Sequence, residues 1–199
     1  ALLPGSPAID AGDNGTCEPT DQRGATRPTD GDANGTATCD IGAYELGGLQ
    51  CGIQSDTEST TYTFLTNVNL KVDIDGTNLD CLRVTDIPFD HPNATTPLET
   101  GKYWIFSALQ NDKSSAASTD FDIDITLPYA TADANDKVCR HDGGGTWSCA
   151  ADNIVANTSI TRNDISALSE WTVGDNAGPT AVTLTGFTAD TSQLPITVL

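Results

Sequence analysis

From Tyr62 onward the chain alternates. Tyr62, Phe64, Val68, Leu70, Val72 and Ile74 are apolar at every second place except Thr66, and Thr63, Asn67, Asn69, Lys71 and Asp73 stand between them. A period of two is the mark of a half-buried strand with one face inward and one wet. Phe121, Ile123, Ile125 and Leu127 repeat it against Asp120, Asp122 and Asp124. The run 103–109 (YWIFSAL) is apolar on both faces, which predicts a central strand. Shorter strands fit at 79–85, 137–141, 146–150, 153–161 and 181–188. Turn signals at Asp75-Gly76, at Asp142 to Gly145 and at Asp175 to Pro179 separate them. Only 163–171 tolerates a helix. Strands at this spacing predict an antiparallel β-sandwich of jelly-roll or Ig-like kind.

Residues 1–46 have another texture. Gly, Pro, Asp and Thr surround two short apolar stretches, and Gly47-Gly48 reads as a hinge. The expected plan is a terminal segment over 1–46 and a sandwich over 51–180. Residues 181–199 then form a C-terminal strand or a linker to a removed anchor.

Charge narrows the partners. The 199 residues carry 28 acidic and nine basic side chains, a formal charge of -19. Such a balance repels phosphate backbones and anionic lipid, so nucleic acid is excluded as an expected partner. No apolar run is long enough to cross a bilayer. The chain has no methionine, from which a processed piece of a longer precursor is expected.

Six cysteines without a close C-x-x-C pair point to three disulfides and an oxidising compartment. Cys139 and Cys149 flank a Gly-rich hairpin turn, so closing the hairpin brings them together. By the same logic Cys17 and Cys39 close the loop of the first region. Cys51 and Cys81 then tie the start of the sandwich to its second strand.

Acidic turns are the other chemistry on offer. Asp30, Asp32 and Asn34 match the first half of a calcium loop, with Asp40 near the place of the missing bidentate Glu. Asp73, Asp75 and Asp80 form a second acidic turn, and structural Ca2+ is the one cofactor these residues suggest. Asp120, Asp122 and Asp124 share one strand face. Solvated turns and a wet sheet face are the plainer readings. No carboxylate pair sits in an apolar setting that would raise one pKa, as a glycosidase needs. Ser169, His91 and Asp86 lack a nucleophile elbow. No catalytic residue is therefore assigned. Tyr103, Trp104, Trp147 and Trp171 are read as core rather than as a sugar platform. Asn14, Asn34, Asn93 and Asn157 head N-x-S/T sequons and are candidate glycan carriers.

The series Leu3–Asp13 (LPGSPAIDAGD), Thr20–Gly24 (TDQRG), Arg27-Pro28 and Cys39–Glu45 (CDIGAYE) resembles the closing turns of secreted right-handed parallel β-helix proteins. These include the polymorphic outer-membrane-protein-like and choice-of-anchor families. Residues 91–93, 100–104, 169–174, 178–182 and 186–189 are similar to a bacterial surface β-sandwich that follows such helices. The resemblance implies a short β-helix-like terminal coil, display at a bacterial cell surface and no defined reaction. A lone terminal coil has no neighbour to cover its apolar edge. It must pack on the sandwich, on upstream sequence or on another copy. The expected function is a non-enzymatic extracellular structural protein, with other surface components or copies of itself as partners, joined into a filament or layer by exchanged strands. The alternatives are a carbohydrate-binding or adhesive module and the non-catalytic tail of a β-helix polysaccharide lyase.

Overall fold

A computed structural model describes residues 2–175 apart from 4, 54–58, 65–66, 96 and 99. Eleven strands are present among them and no helix. They are β1 (Gly48–Cys51), β2 (Thr60–Phe64), β3 (Val68–Ile74), β4 (Cys81–Ile87), β5 (Tyr103–Leu109) and β6 (Asp122–Pro128). β7 (Asp136–His141), β8 (Trp147–Ala150), β9 (Asn153–Val155), β10 (Ser159–Ile165) and β11 (Glu170–Asp175) complete the set. Six strands form one antiparallel sheet in the order β1-β4-β5-β11-β7-β8, and five form the other in the order β2-β3-β6-β10-β9. The molecule is an all-β sandwich.

The alternating segments do what their pattern predicts. Val68, Leu70 and Val72 of β3 and Ile123, Ile125 and Leu127 of β6 are sealed in one core with Leu82, Val84, Trp104, Phe106, Val138 and Trp171. Asp122 and Asp124 lie on the opposite, wetter face of β6. Ile74 departs from the pattern and is 52% exposed. The β3–β6 register shifts between Val72 and Ile74, and an extra residue in one strand sends the next side chain to the other face. Two further expectations are corrected. The helix-tolerant stretch 163–171 is the end of β10, an extended connection and the start of β11, because Ile165 and Trp171 are needed in the core. Gly48, half of the expected hinge, opens β1 and pairs with Val84. Gly47 lies so close to β4 that a Cβ there would sit 2.5 Å from the Val84 carbonyl oxygen, which leaves glycine as the residue that fits.

The three disulfides join Cys17 to Cys39, Cys51 to Cys81 and Cys139 to Cys149. The last two link directly opposed residues of β1–β4 and β7–β8. Their Cα atoms are 4.1 and 4.0 Å apart, the close spacing of a non-hydrogen-bonded cross-strand pair.

Residues 5–46 contain no strand, only turns and two isolated bridges, Thr20–Thr26 and Thr29–Thr38. This cap packs on the chain's own sandwich. Thr26 N–H donates to the Asp86 carbonyl, and Leu49 N–H of β1 donates to the Asp30 carbonyl at 2.7 Å. Lys113 Nζ reaches the Asp32 carbonyl at 2.8 Å. The expected segment 181–199 lies outside the described residues.

Candidate functional site

The cap has little apolar core, so its fold must be organised by polar groups. Glu45 is buried at its centre. Its Oε1 accepts from Thr29 N–H at 2.8 Å, and its Oε2 accepts from Asp40 N–H at 3.0 Å and Arg27 Nε at 2.8 Å. Arg27 also donates to the carbonyls of Asp40 and Gly42. Asp21 accepts from the N–H groups of Arg23, Ala25 and Glu45 and from the Arg23 guanidinium. Burial pushes the Asp21 carboxyl up, but these donors outweigh it and hold the pKa below the usual carboxylate value. The Arg23 guanidinium stacks 3.6 Å over the Tyr44 ring. Asp40 accepts from Asp10 and Leu46 N–H, and Asp10 accepts from Gly31 and Asp32 N–H. The residues of the TDQRG, RP and DIGAYE runs thus hold each other and the backbone. Charged groups sealed in this way are stable only when fully partnered.

Of the calcium candidates, Asp30 and Asp32 come together, and their third neighbour is Asp10. Asp40 is buried and turned inward to Asp10 and Leu46. Asp30 accepts from Asn34 and Gly35 N–H, while Asp32 accepts from Asn34 N–H and Nδ2. Burial above all raises the Asp10 carboxyl to about 6, with repulsion from Asp32 adding to it and the two backbone donors opposing. In the second turn, Asp73 is held by Lys71 at 2.7 Å and by the Ser59 hydroxyl, and Asp80 accepts from Asn111 N–H at 2.8 Å. Asp73, Asp75 and Asp80 form no shared ligand group among the described residues. Asp122, Asp124 and Asp164 do converge. Burial first, then repulsion from Asp164, Asp124 and Asp73, raises the Asp122 carboxyl. Lys71 bridges Asp73 and Asp124.

A cluster absent from the sequence reading gathers His91, His141 and Glu170. The histidines are 5% and 4% exposed. His91 Nε2 lies 3.0 Å from Glu170 Oε2, and His141 Nδ1 lies 3.3 Å from the same oxygen. Both rings contact Trp147 at 5.0 Å, and Tyr103 meets His91 edge-on. Asn93 decides the protons. Its backbone N–H can only donate, and it points at His91 Nδ1 from 3.0 Å. The neutral His91 ring therefore carries its proton on Nε2 and donates to Glu170. In this tautomer Nε2 has no lone pair for a metal, although the three side chains are spaced as a His2Glu ligand set would be. Asn93 Nδ2 lies 3.1 Å from His141 Nε2. The His141 Nδ1 contact with Glu170 falls outside hydrogen-bond angles. A separation of 79 residues between His91 and Glu170 left no spacing signal to find. What sequence could offer was the His-Pro-Asn turn itself.

Trp104 and Trp171 are core residues, and Trp147 belongs to the histidine cluster. All four sequon asparagines are exposed. Asn14 bonds Ala37 and Cys39, Asn34 bonds Asp32, and the Asn93 amide contacts His141. Asn157 stands in the β9–β10 turn with a φ of 54°.

No protein-family model, no curated protein and no solved structure matches the chain.

Proposed function

We propose that the chain is a non-enzymatic structural module of an extracellular protein displayed at a bacterial surface, with residues 1–46 as a closing cap of the β-helix type. The observation that carries this reading is the commitment of the cap's motif residues. Asp10, Asp21, Arg27, Asp40 and Glu45 are all engaged with backbone groups of the cap itself, which is the work of a structural motif. Three disulfides fix both the cap and the sandwich, and such bonds persist in oxidising surroundings. Other surface components, or further copies of the chain, are its partners. Joining copies by exchanged strands rests on 181–199. Leu49 N–H of the edge strand β1 already donates to the cap, and Gln50 Nε2 bonds the Thr63 carbonyl of the edge strand β2 at 2.7 Å, so these two edge groups are taken.

Antibody labelling of intact source cells tests display. Signal without permeabilisation is expected, and signal only after lysis overturns the reading. Negative-stain microscopy of the purified protein separates filaments from single particles.

A further inference from the structure

A cavity of about 510 Å3 opens between the cap, β4 and the β5–β6 connection. Gly5, Ser6, Ile9, Gly31, Asp32 and Leu46 line the cap side, and Arg83, Asp112 and Lys113 the sandwich side. Its size falls within the roughly 300–1,000 Å3 of small-molecule sites.

Two of the nine basic residues of a strongly acidic chain border this one space. Arg83 alternates with Leu82 and Val84 of the core and so faces the cap. Its Nε is sealed from solvent with no hydrogen-bond partner. Burial lowers its pKa, against partial compensation from Tyr44 and Asp40. Nε itself lies out of a ligand's reach, so a ligand carboxylate would pair with the terminal nitrogens of Arg83, which lines the cavity. Lys113 is tethered at the cavity by one hydrogen bond from Nζ to Asp32 O, leaving two of its three donors.

The acids on the wall have a different part. Asp112 accepts from Ser114 and Ser115 N–H, and Asp32 from Asn34. Their remaining lone pairs suit hydroxyl donors and repel a second anionic group. Ile9, Leu46 and Gly31 give a small apolar surface. We propose that this cavity binds a carboxylated sugar, with its carboxylate at Arg83 and Lys113 and its hydroxyls toward Asp32 and Asp112. The proposal does not depend on where the chain is displayed, so it can fail while the structural reading stands.

Titration calorimetry with a galacturonate trimer and its methyl ester tests it on the intact protein. The acid should bind at least tenfold more tightly than the ester, and Arg83→Gln and Lys113→Gln should each weaken it at least tenfold. The unliganded Arg83→Gln protein should melt no lower than the parent, since it loses an unsatisfied buried charge. Should Arg83→Gln fail to fold, Lys113→Gln on the exposed loop decides alone. Binding of neither trimer, equal binding of both, or unchanged affinity in Lys113→Gln overturns the site. Equal affinity for inorganic phosphate or an Asp-rich peptide overturns the sugar class.

Discussion

Arg27 Nε donates to Glu45 Oε2 across 2.8 Å, with the two side chains 7% and 1% exposed. The cap is built around this pair. Removing the charge from Glu45 strands a buried guanidinium, which typically costs about 3–5 kcal/mol. Glu45→Gln should therefore destabilise the protein by that order in urea melts, with amide exchange accelerating first in residues 21–46. A loss under about 1 kcal/mol would show that the Asp40 and Gly42 carbonyls hold Arg27 without the Glu45 charge.

The disulfides should not be equal. Cys51–Cys81 closes 30 residues and Cys139–Cys149 closes 10. In the chain-entropy model the longer loop is worth about 1 kcal/mol more, on a base of about 2–4 kcal/mol each. Replacing both cysteines of each pair by Ala and comparing denaturant midpoints checks the order. An inverted order would point to native-state packing rather than loop closure.

Asp10 makes stability pH-dependent in an unusual direction. Its carboxyl is raised to about 6 from the usual 3.8, so between those values the folded state binds more protons than the unfolded chain. The sign follows from linkage: the stabilisation is present below about 4 and is lost as pH rises through about 6. Asp122 is raised as well and adds to the trend. Asp142, lowered to about 2 by the Thr146 hydroxyl and by backbone N–H groups, acts below about 4 and removes stability as pH falls there. Urea midpoints should accordingly fall from pH 4.5 to 6.5, and Asp10→Asn should flatten that slope. An unchanged slope in the variant would locate the effect elsewhere.

The sandwich was legible because period-two burial is a local property: Val68 to Val72 and Ile123 to Leu127 each declare their inward face. Cross-strand pairing made Cys139–Cys149 legible too, since a hairpin fixes which residues oppose. The misses share a physical cause. Ile74 turned outward through a register shift set by β6, 48 residues on from Ile74 at Asp122. Ile165 and Trp171 overrode a local tolerance for helix because the core required them extended. The acidic turns were visible as acidic turns, yet their first partners are N–H groups a few residues away, which composition does not disclose. Glu170 and the two histidines meet only once β5, β7 and β11 are aligned.

The last prediction concerns that meeting point. Asn93 N–H pointing at His91 Nδ1 requires the neutral ring to protonate on Nε2, and Nε2–H then donates to Glu170 across 3.0 Å. The turn at 91–93 is thereby tied to β11, and Trp147 Nε1 donating to the Asn93 carbonyl at 3.1 Å ties it to β8. Nitrogen-15 NMR at alkaline pH should show His91 Nδ1 as the unprotonated, acceptor nitrogen. Glu170→Gln keeps an oxygen for that bond but weakens it, whereas His91→Ala removes both bonds and opens a cavity. The expected costs are about 1 and 3 kcal/mol respectively, the larger including the orphaned Asn93 N–H and lost packing. Zinc added to the intact protein would have to displace the Nε2 proton and reverse the tautomer, breaking the Asn93 contact. A spectrum with Nδ1 protonated before any metal is added would sink this account, since it frees the Nε2 lone pair that the Asn93 contact is argued to deny to a metal.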